Sequence, residues 1–583
     1  DSTVPSWLVG LNVWQANPII LEKLRELGVL FAAEKYSHSY PHDWRLHKPV
    51  ITRATEQWFA SVDNFREAAL KAVQATNWYP AGGENRIHAM IANRSDWCIS
   101  RQRVWGVPIP AFYCASETCK TTLLNGATVE AIAKLVAEHG TDVWWQREVA
   151  DLLPAGTTCA RCGGDAFTKE TDIMDVWFDS GTSWSAVLEQ RQNNAPHDQH
   201  YPADLYLEGS DQHRGWFQSS LLTSVATRGM APYKQVVTHG FVLDGNGRKM
   251  SKSVGNVVAP QAVIDKCGAD VLRLWAASVD YTGDVRVSDA IINQLADIYR
   301  KIRNTVRFLL GNLNDFDPAT DRIAYDEMGF LDQLALVRMQ DAVRDVKAAY
   351  DSYDFTRIYQ LLQNYCVVDL SNFYLDTAKD PLYTRRANDP ERRATQTAMY
   401  EIMRALTGMV APVLSHLAED IWQHLPATLR GSDKASVFLT DFPDDTIERI
   451  ANADHVRAVG DALFEVRSVV TKGMELARAA KTIGSSLDAK VLIHAETPDG
   501  ATLLDRFLPL LPRLVIASQV EQASTDLGET MTHGGNGFQV LVTAAAGTKC
   551  GRCWHYETSV GRNAAHAELC SPCAEVVADH VAV

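Results

Sequence analysis

The sequence predicts an α/β unit built on a parallel sheet, then an all-helical bundle, then a small cysteine-bearing tail. Between about Ile51 and Asp284 short apolar strands alternate with helices: Leu205-Tyr206-Leu207 precedes a helix running to about Thr227, and Gln235 to Leu243 forms the next strand. After Ser288 the strands stop, and Ile291, Leu295, Ile298, Ile302, Val306 and Leu309 recur at steps of three and four residues, one apolar stripe on one helix. From Lys549 onward cysteines return in close pairs. At roughly 100–200 residues per domain, the 583 residues make several domains.

Taken in order, residues 1 to about 52 carry a helical run (Ile20, Leu24, Leu27) and an aromatic stretch, HSYPHDWR, from His38 to Arg45, and read as the end of a domain. The α/β unit follows over 53–288. A bundle spans 289–455: one helix starts at the cap Asp354 (Phe355, Ile358, Leu362, Cys366), and others carry Met399, Ile402 and Leu406, then Leu414, Leu417 and Ile421 before Pro426. Over 456–545 come a helix to about Lys481, a break at Gly484 to Ser486, and an alternating strand from Asp488 to Ala495; the tail is 546–583.

Composition excludes several classes of function. Lys+Arg is 56 and Asp+Glu 71, a formal charge of −15, so the chain does not coat nucleic acid indiscriminately and such a partner must meet a local basic surface. Hydrophobic content of 46% and charged content of 22% fit sizeable cores, with no apolar stretch long enough for a bilayer. Eleven cysteines are too sparse for a disulfide scaffold, and eight fall into four close pairs, the pattern of metal sites in a reducing compartment. The opening segment lacks the zones of a signal peptide. The expectation is a cytoplasmic location, with Asp1 not the true start.

The sharpest string is Lys249-Met250-Ser251-Lys252-Ser253, after a strand and Asp244-Gly245-Asn246-Gly247. Glycines let the loop move, and two ammonium groups with two hydroxyls can surround a polyphosphate whose charge grows as a leaving group departs. A solvated basic loop is the plainer alternative. The second constellation, Glu208-Gly209-Ser210-Asp211-Gln212-His213-Arg214-Gly215-Trp216, leaves a strand and enters a helix. Ligands of open α/β sheets bind outside the carboxyl ends of the strands, where Glu208 and Asp211 can hold an ammonium or a ribose hydroxyl. Helix capping is the alternative for Asp211.

With TRATEQWF from Thr52, DWCISRQRVWG from Asp96, DVWFDSG from Asp175, YLEGSDQHRGWF from Tyr206, THGFVLDGNGRKMSKSVGN from Thr238 and GADVLRLW from Gly268, the chain resembles, from about Trp44 onward, the bacterial class I isoleucyl-tRNA synthetases. The resemblance implies the second half of a class I Rossmann-like parallel-sheet catalytic core (α/β), an all-α anticodon-binding bundle and a small C-terminal zinc-binding domain. It implies that isoleucine is activated with ATP, accompanied by Mg2+, and transferred to tRNA(Ile), by a monomer with no membrane contact. Glu208, with Gly209 and Asp211, would contact the aminoacyl-adenylate; Trp177, Gln212 and Trp216 would line the side-chain pocket; and Lys249, Ser251 and Lys252 would bind ATP, the two lysines being catalytic. Trp184 departs from the histidine of many members. A His-x-Gly-His element and most of an editing domain, of which 1–52 would be the end, are not in the sequence. Valyl relatives share single motifs, and a non-catalytic tRNA-binding chain is a rival of another kind.

Cys550-x2-Cys553, a gap of 16 residues, then Cys570-x2-Cys573 gives two tight turns able to supply four thiolates to a closed, structural zinc site. Cys159-x2-Cys162 and the looser Cys114-x4-Cys119, 39 residues upstream of it, form a second possible site in a knuckle over 113–165. Cys98, Cys267 and Cys366 read as ordinary buried thiols. Arg300, Arg303 and Arg307 share one face of the first bundle helix and can grip phosphates; a solvated charged face is the alternative.

Overall fold

The computed structural model describes every residue except 1–2, 44–45, 191–198, 253, 444–449 and 582–583, so Asp1, Trp44, Arg45 and Ser253 lie outside the described residues. The chain divides into two compact units, Asp1–Val62 with Ser95–Val176, and Asp63–Arg94 with Trp177–Val583. No helix among the described residues is long and apolar enough to cross a membrane.

In the first unit, the helix Val13–Glu26 starts from a reciprocal cap between Asn12 and Gln15, and none of its residues is buried. The core forms further on. The strand Phe112–Cys114 pairs antiparallel with Thr122–Leu123 on one side and Phe167–Lys169 on the other. Phe112, Ile132, Trp144, Leu152 and Phe167 fill the space beneath it. Glu170 ties this sheet to the preceding segment: its Oε2 accepts from Trp58 Nε1 at 2.8 Å and the Tyr113 hydroxyl at 2.5 Å, while Oε1 accepts from the Thr171 and Asp172 amides. Burial pushes this carboxyl up, but these hydrogen bonds win and hold it below the usual range.

The second unit is built on a parallel sheet with Gln235–His239 between Asn77–Tyr79 and Tyr206–Gly209. Val236 and Val237 are buried, as a central parallel strand covered on both faces requires. The single strand expected from Gln235 to Leu243 is in fact two. Gly240 donates to the Tyr281 carbonyl and lies so close to Gly283 that a Cβ would sit 2.1 Å from its oxygen; after this crossing Val242–Leu243 pairs with Val285–Arg286 instead.

The helix Asp289–Gly311 is capped by Ser288, and Phe355–Asn364 by Asp354, whose carboxylate accepts from the Arg357 amide at 3.0 Å. Ile292, Leu295, Ile298, Ile302, Val306 and Leu309 are buried, with Ile291 at the margin of the stripe. Of the three isolated thiols only Cys366 is fully buried; Cys98 and Cys267 are partly exposed because each sits at the edge of its element. The helices Phe330–Asp351 and Pro390–Val410 complete the centre of the bundle, which shares one apolar core with the sheet that follows. In that sheet Ala489–Ala495 runs parallel to Gln519–Gln522 and antiparallel to Phe538–Ala544. Between bundle and sheet lies the helix Ala453–Ala479. A Cβ at Gly460 would stand 2.5 Å from Leu334 of the bundle, and one at Gly473 2.7 Å from Val540 of the sheet, so this helix touches both partners backbone-first.

Asp270, buried at the start of the helix Ala269–Ser278, accepts from the His416 amide at 3.1 Å and the Leu417 amide at 2.7 Å. It thereby satisfies two of the free amides that open the helix Ser415–His424. Asp270→Ala is expected to lower stability by about 1–3 kcal/mol, read as an earlier melting transition of the bundle in thermal unfolding followed by circular dichroism.

Candidate active site and metal centres

The strand Tyr206–Gly209 ends in a single 3-10 turn, Ser210–His213, before the helix Trp216–Arg228 begins. Glu208 stands half exposed at this carboxyl end, its Oε1 accepting from the Gly209 amide at 2.9 Å with His239 Nε2 at 3.9 Å on the neighbouring strand. Asp211 accepts from Gln212 Nε2 at 3.1 Å and does not cap the helix, whose cap position is Gly215 with no side-chain bond. Its carboxylate is exposed to solvent. His213 is buried beside Trp78 and Phe217, with Nδ1 on the Ser210 carbonyl, and burial lowers its pKa.

The structure brings Trp177, Gln212 and Trp216 together around Gly215. A Cβ at Gly215 would lie 2.4 Å from Gln212 Oε1 and 3.0 Å from the Trp177 ring, so only glycine admits both side chains. Gln212 Oε1 accepts from the Trp216 amide at 2.9 Å. The Trp216 indole stacks on Tyr206 with centroids 4.1 Å apart, and its N–H donates to the Ser180 carbonyl at 3.1 Å. The Trp177 ring is 42% exposed and forms the open wall. Trp184 is elsewhere: it is buried, with its indole N–H on Thr223 Oγ1.

The lysine loop hangs from Asp244, which is 6% exposed. Asp244 Oδ1 accepts from the amides of Asn246 and Arg248, both at 2.9 Å, and Oδ2 from Asn256 Nδ2 at 3.0 Å. The bond from Asn256, followed by that from the Arg248 amide, draws the Asp244 carboxyl down to about 2. Asn256 closes the loop from the other side: its Oδ1 accepts from the Ser251 amide at 3.0 Å and its Nδ2 also reaches the Lys249 carbonyl. Met250 packs inward on the core, its sulfur 3.4 Å from the Val258 amide, while Lys249 and Lys252 are exposed. Two like charges are thus turned outward by an apolar plug between them. Asp244 and Asn256 are not among the site residues that the sequence marks; an acid directly before Gly245-Asn246-Gly247 and an amide three residues beyond Ser253 are the signals they leave.

Each cysteine set converges. In both Cys114, Cys119, Cys159, Cys162 and Cys550, Cys553, Cys570, Cys573 the four sulfurs lie within 4.8 Å of one another. The recorded pairs are 3.5 Å for Cys114–Cys162, 3.6 Å for Cys119–Cys159 and 3.8 Å for Cys553–Cys570. Zn–S bonds of about 2.3 Å at tetrahedral angles place sulfurs roughly 3.8 Å apart, so both cages fit zinc. The hydrogen bond from Cys553, with help from the Arg552 guanidinium, draws the Cys573 thiol down to about 5, and Thr121 draws Cys119 to about 6. Arg300, Arg303 and Arg307 are exposed on one helix, Arg300 paired to Asp297.

Three family models match the chain in order: tRNA synthetases class I (I, L, M and V) over residues 22–288, the anticodon-binding domain of tRNA ligase over 332–493, and the zinc finger found in FPG and IleRS over 547–576. The chain belongs to the class I tRNA synthetases. Its relatives within that class include isoleucine–tRNA ligases. That of Gloeobacter violaceus is 52% identical over 571 residues, 96% of this chain and 57% of the relative; that of Brevibacillus brevis is 49% identical over 573 residues, 98% and 60%. A third, from Caldicellulosiruptor bescii, is 48% identical over 97% of this chain and 60% of its own length. The chain therefore spans less than two thirds of the relatives it matches, and the resemblance carried by its motifs extends along nearly all of it.

Removing the amide that closes the lysine loop should free it without unfolding the sheet. In Asn256→Ala the amides of Ser251 to Gly255 are expected to exchange about tenfold faster or more by hydrogen–deuterium exchange, with those of Gln235 to His239 unchanged.

Proposed function

We propose that this chain serves isoleucine–tRNA ligation. In this reaction isoleucine and ATP give isoleucyl-adenylate and pyrophosphate, and the acyl group then passes to a terminal ribose hydroxyl of tRNA(Ile) as AMP leaves. The observation that carries the reading is an anchored two-lysine loop, reached through Val242–Leu243 soon after the strand Gln235–His239, together with Glu208 at the end of the parallel strand adjoining Gln235–His239, in a chain about half identical to isoleucine–tRNA ligases.

Chemistry follows from the placement. The attack of the amino-acid carboxylate on the α-phosphorus builds negative charge on the departing pyrophosphate. Lys249 and Lys252, held outward by Met250 and fixed by Asp244 and Asn256, supply preorganised positive charge there, with Ser251 as a hydrogen-bonding partner and Mg2+ accompanying the nucleotide. Glu208 and Asp211, free of helix duty, hold the adenylate's ammonium and ribose hydroxyls beside Gly209. Trp177, Gln212 and Trp216 offer an apolar wall with one amide to the side chain. Arg300, Arg303 and Arg307 contact tRNA phosphates, and zinc in each cysteine cage fixes two otherwise loose knuckles. The cytoplasm, where thiolate cages stay reduced, is the proposed location. The match of the tail to a finger found in IleRS favours isoleucyl over valyl specificity.

Joined to the remaining portion of the Gloeobacter violaceus relative, the chain should catalyse isoleucine-dependent ATP–pyrophosphate exchange. Lys252→Ala should slow that exchange by about 10²–10³-fold, with little change in the KM for ATP. Exchange that is absent, or unaffected by Lys252→Ala, would overturn the assignment. Metal analysis of the chain alone should find two zinc ions, falling to one in Cys114→Ser/Cys119→Ser; an unchanged content in that variant would remove the second cage from the proposal.

A further inference from the structure

The tail's metal cage is not self-contained. Arg552 lies inside the first knuckle, between Cys550 and Cys553, and is half buried. Its Nη1 is 3.6 Å from the sulfur of Cys573, in the second knuckle, and donates to the Thr384 carbonyl at 2.5 Å. Thr384 is the last residue of the bundle helix Leu375–Thr384. The final carbonyls of a helix lack partners within it and carry partial negative charge, which a guanidinium satisfies well. Zinc with four thiolates carries a net charge of 2 − 4 = −2, so a cation against one sulfur also steadies the loaded cage. One rigid fork thus joins both knuckles to the bundle.

We propose that Arg552 is a positioning residue that couples zinc loading of the tail to docking of the tail on the helical bundle. With zinc bound, Cys573 is a thiolate and Arg552 has two acceptors, one in the cage and one at the helix end. When zinc leaves, the two knuckles are no longer tied to one centre, so the Cys573 sulfur and the backbone that carries Arg552 lose the fixed spacing that sets the guanidinium on Thr384. The rest of the tail stays attached, because Tyr556 still donates its amide to Ser518 Oγ at 2.8 Å and Gln519 still bonds the Ala546 and Tyr556 carbonyls. His555, whose ring lies 3.8 Å from Asp380 Oδ1 on the same helix, meets the cage only through its backbone amide, beside Cys553, so replacing its side chain is a control.

The inference rests on zinc being the ion the four cysteines take, so metal content is measured in every sample. The full chain with Cys114→Ser/Cys119→Ser, which isolates the tail cage, is compared with Arg552→Ala, Arg552→Lys and His555→Ala made in it. Zinc release to a chromogenic chelator is timed, and hydrogen–deuterium exchange is followed at residues 375–386 and 547–576. Arg552→Ala is expected to release zinc about tenfold faster or more and to raise exchange at the end of the Leu375–Thr384 helix; His555→Ala should leave release unchanged. Arg552→Lys, which keeps the charge without the fork, should fall between. Chelation of the parent chain should reproduce the exchange increase at that helix end, a readout that holds even if a variant fails to fold. Zinc release unaltered by Arg552→Ala, or a helix end as protected without zinc as with it, overturns the coupling. A parent chain that retains no zinc overturns the reading of the cage and the coupling with it.

Discussion

Burial of one large apolar core organises the bundle and the sheet that follows it. It runs from Val263, just beyond the lysine loop, through the bundle to Val542 in the following sheet. The two helices that leave the loop, Pro260–Cys267 and Ala269–Ser278, are part of it through Val263, Val271, Leu274 and Trp275. The far side of the loop is therefore anchored in the same packing that forms the bundle. Since apolar burial contributes about 25 cal/mol per Å², removing any one element exposes area on several others. The lysines gain a rigid base without any structure of their own.

Polar groups inside this core act as fixed joints. Asp332 is wholly buried, accepting from the Tyr374 hydroxyl at 2.7 Å and from Thr395 Oγ1 at 3.3 Å, with Arg513 3.8 Å away. Burial pushes its carboxyl up, against the pull of Arg513. Arg513 in turn bonds the Thr377 carbonyl and Glu391, so one guanidinium from the sheet region is held by three bundle helices. A buried, fully bonded pair of this kind adds less to net stability than to uniqueness of arrangement, since each partner is costly without the other.

The sequence disclosed most of this where periodicity or spacing has a one-to-one structural meaning. The stripe through Leu295, Ile298 and Ile302 is buried, Asp354 does cap its helix, and both cysteine sets close into cages. What it hid depends on contacts between distant residues. The break of the Gln235 to Leu243 strand comes from Gly283, more than forty positions on. For Asp211 the sequence leaves ligand binding and helix capping both open, and only the turn, which puts the cap at Gly215, removes the second. Asp244 and Asn256 belong to no periodic pattern, so only the closed loop shows that they hold the lysines in place.

The helix Ala453–Ala479 spaces bundle from sheet, and its two contact glycines fix that spacing. Gly460 and Gly473 are 13 residues apart, which at about 1.5 Å and 100° per residue is roughly 20 Å of rise and 220° of rotation. Leu334 and Val540 therefore press on nearly opposite sides of one rod. Such a rod is indifferent to many exchanges of side chain on its solvent-facing positions, but it is intolerant of any change in residue number. One inserted residue would swing the sheet by about 100° around the rod, whereas seven, close to two whole turns, would keep its heading and carry it about 10 Å outward. Length along this segment is thus the quantity under geometric constraint, in the way that phase is constrained between two gears on one shaft.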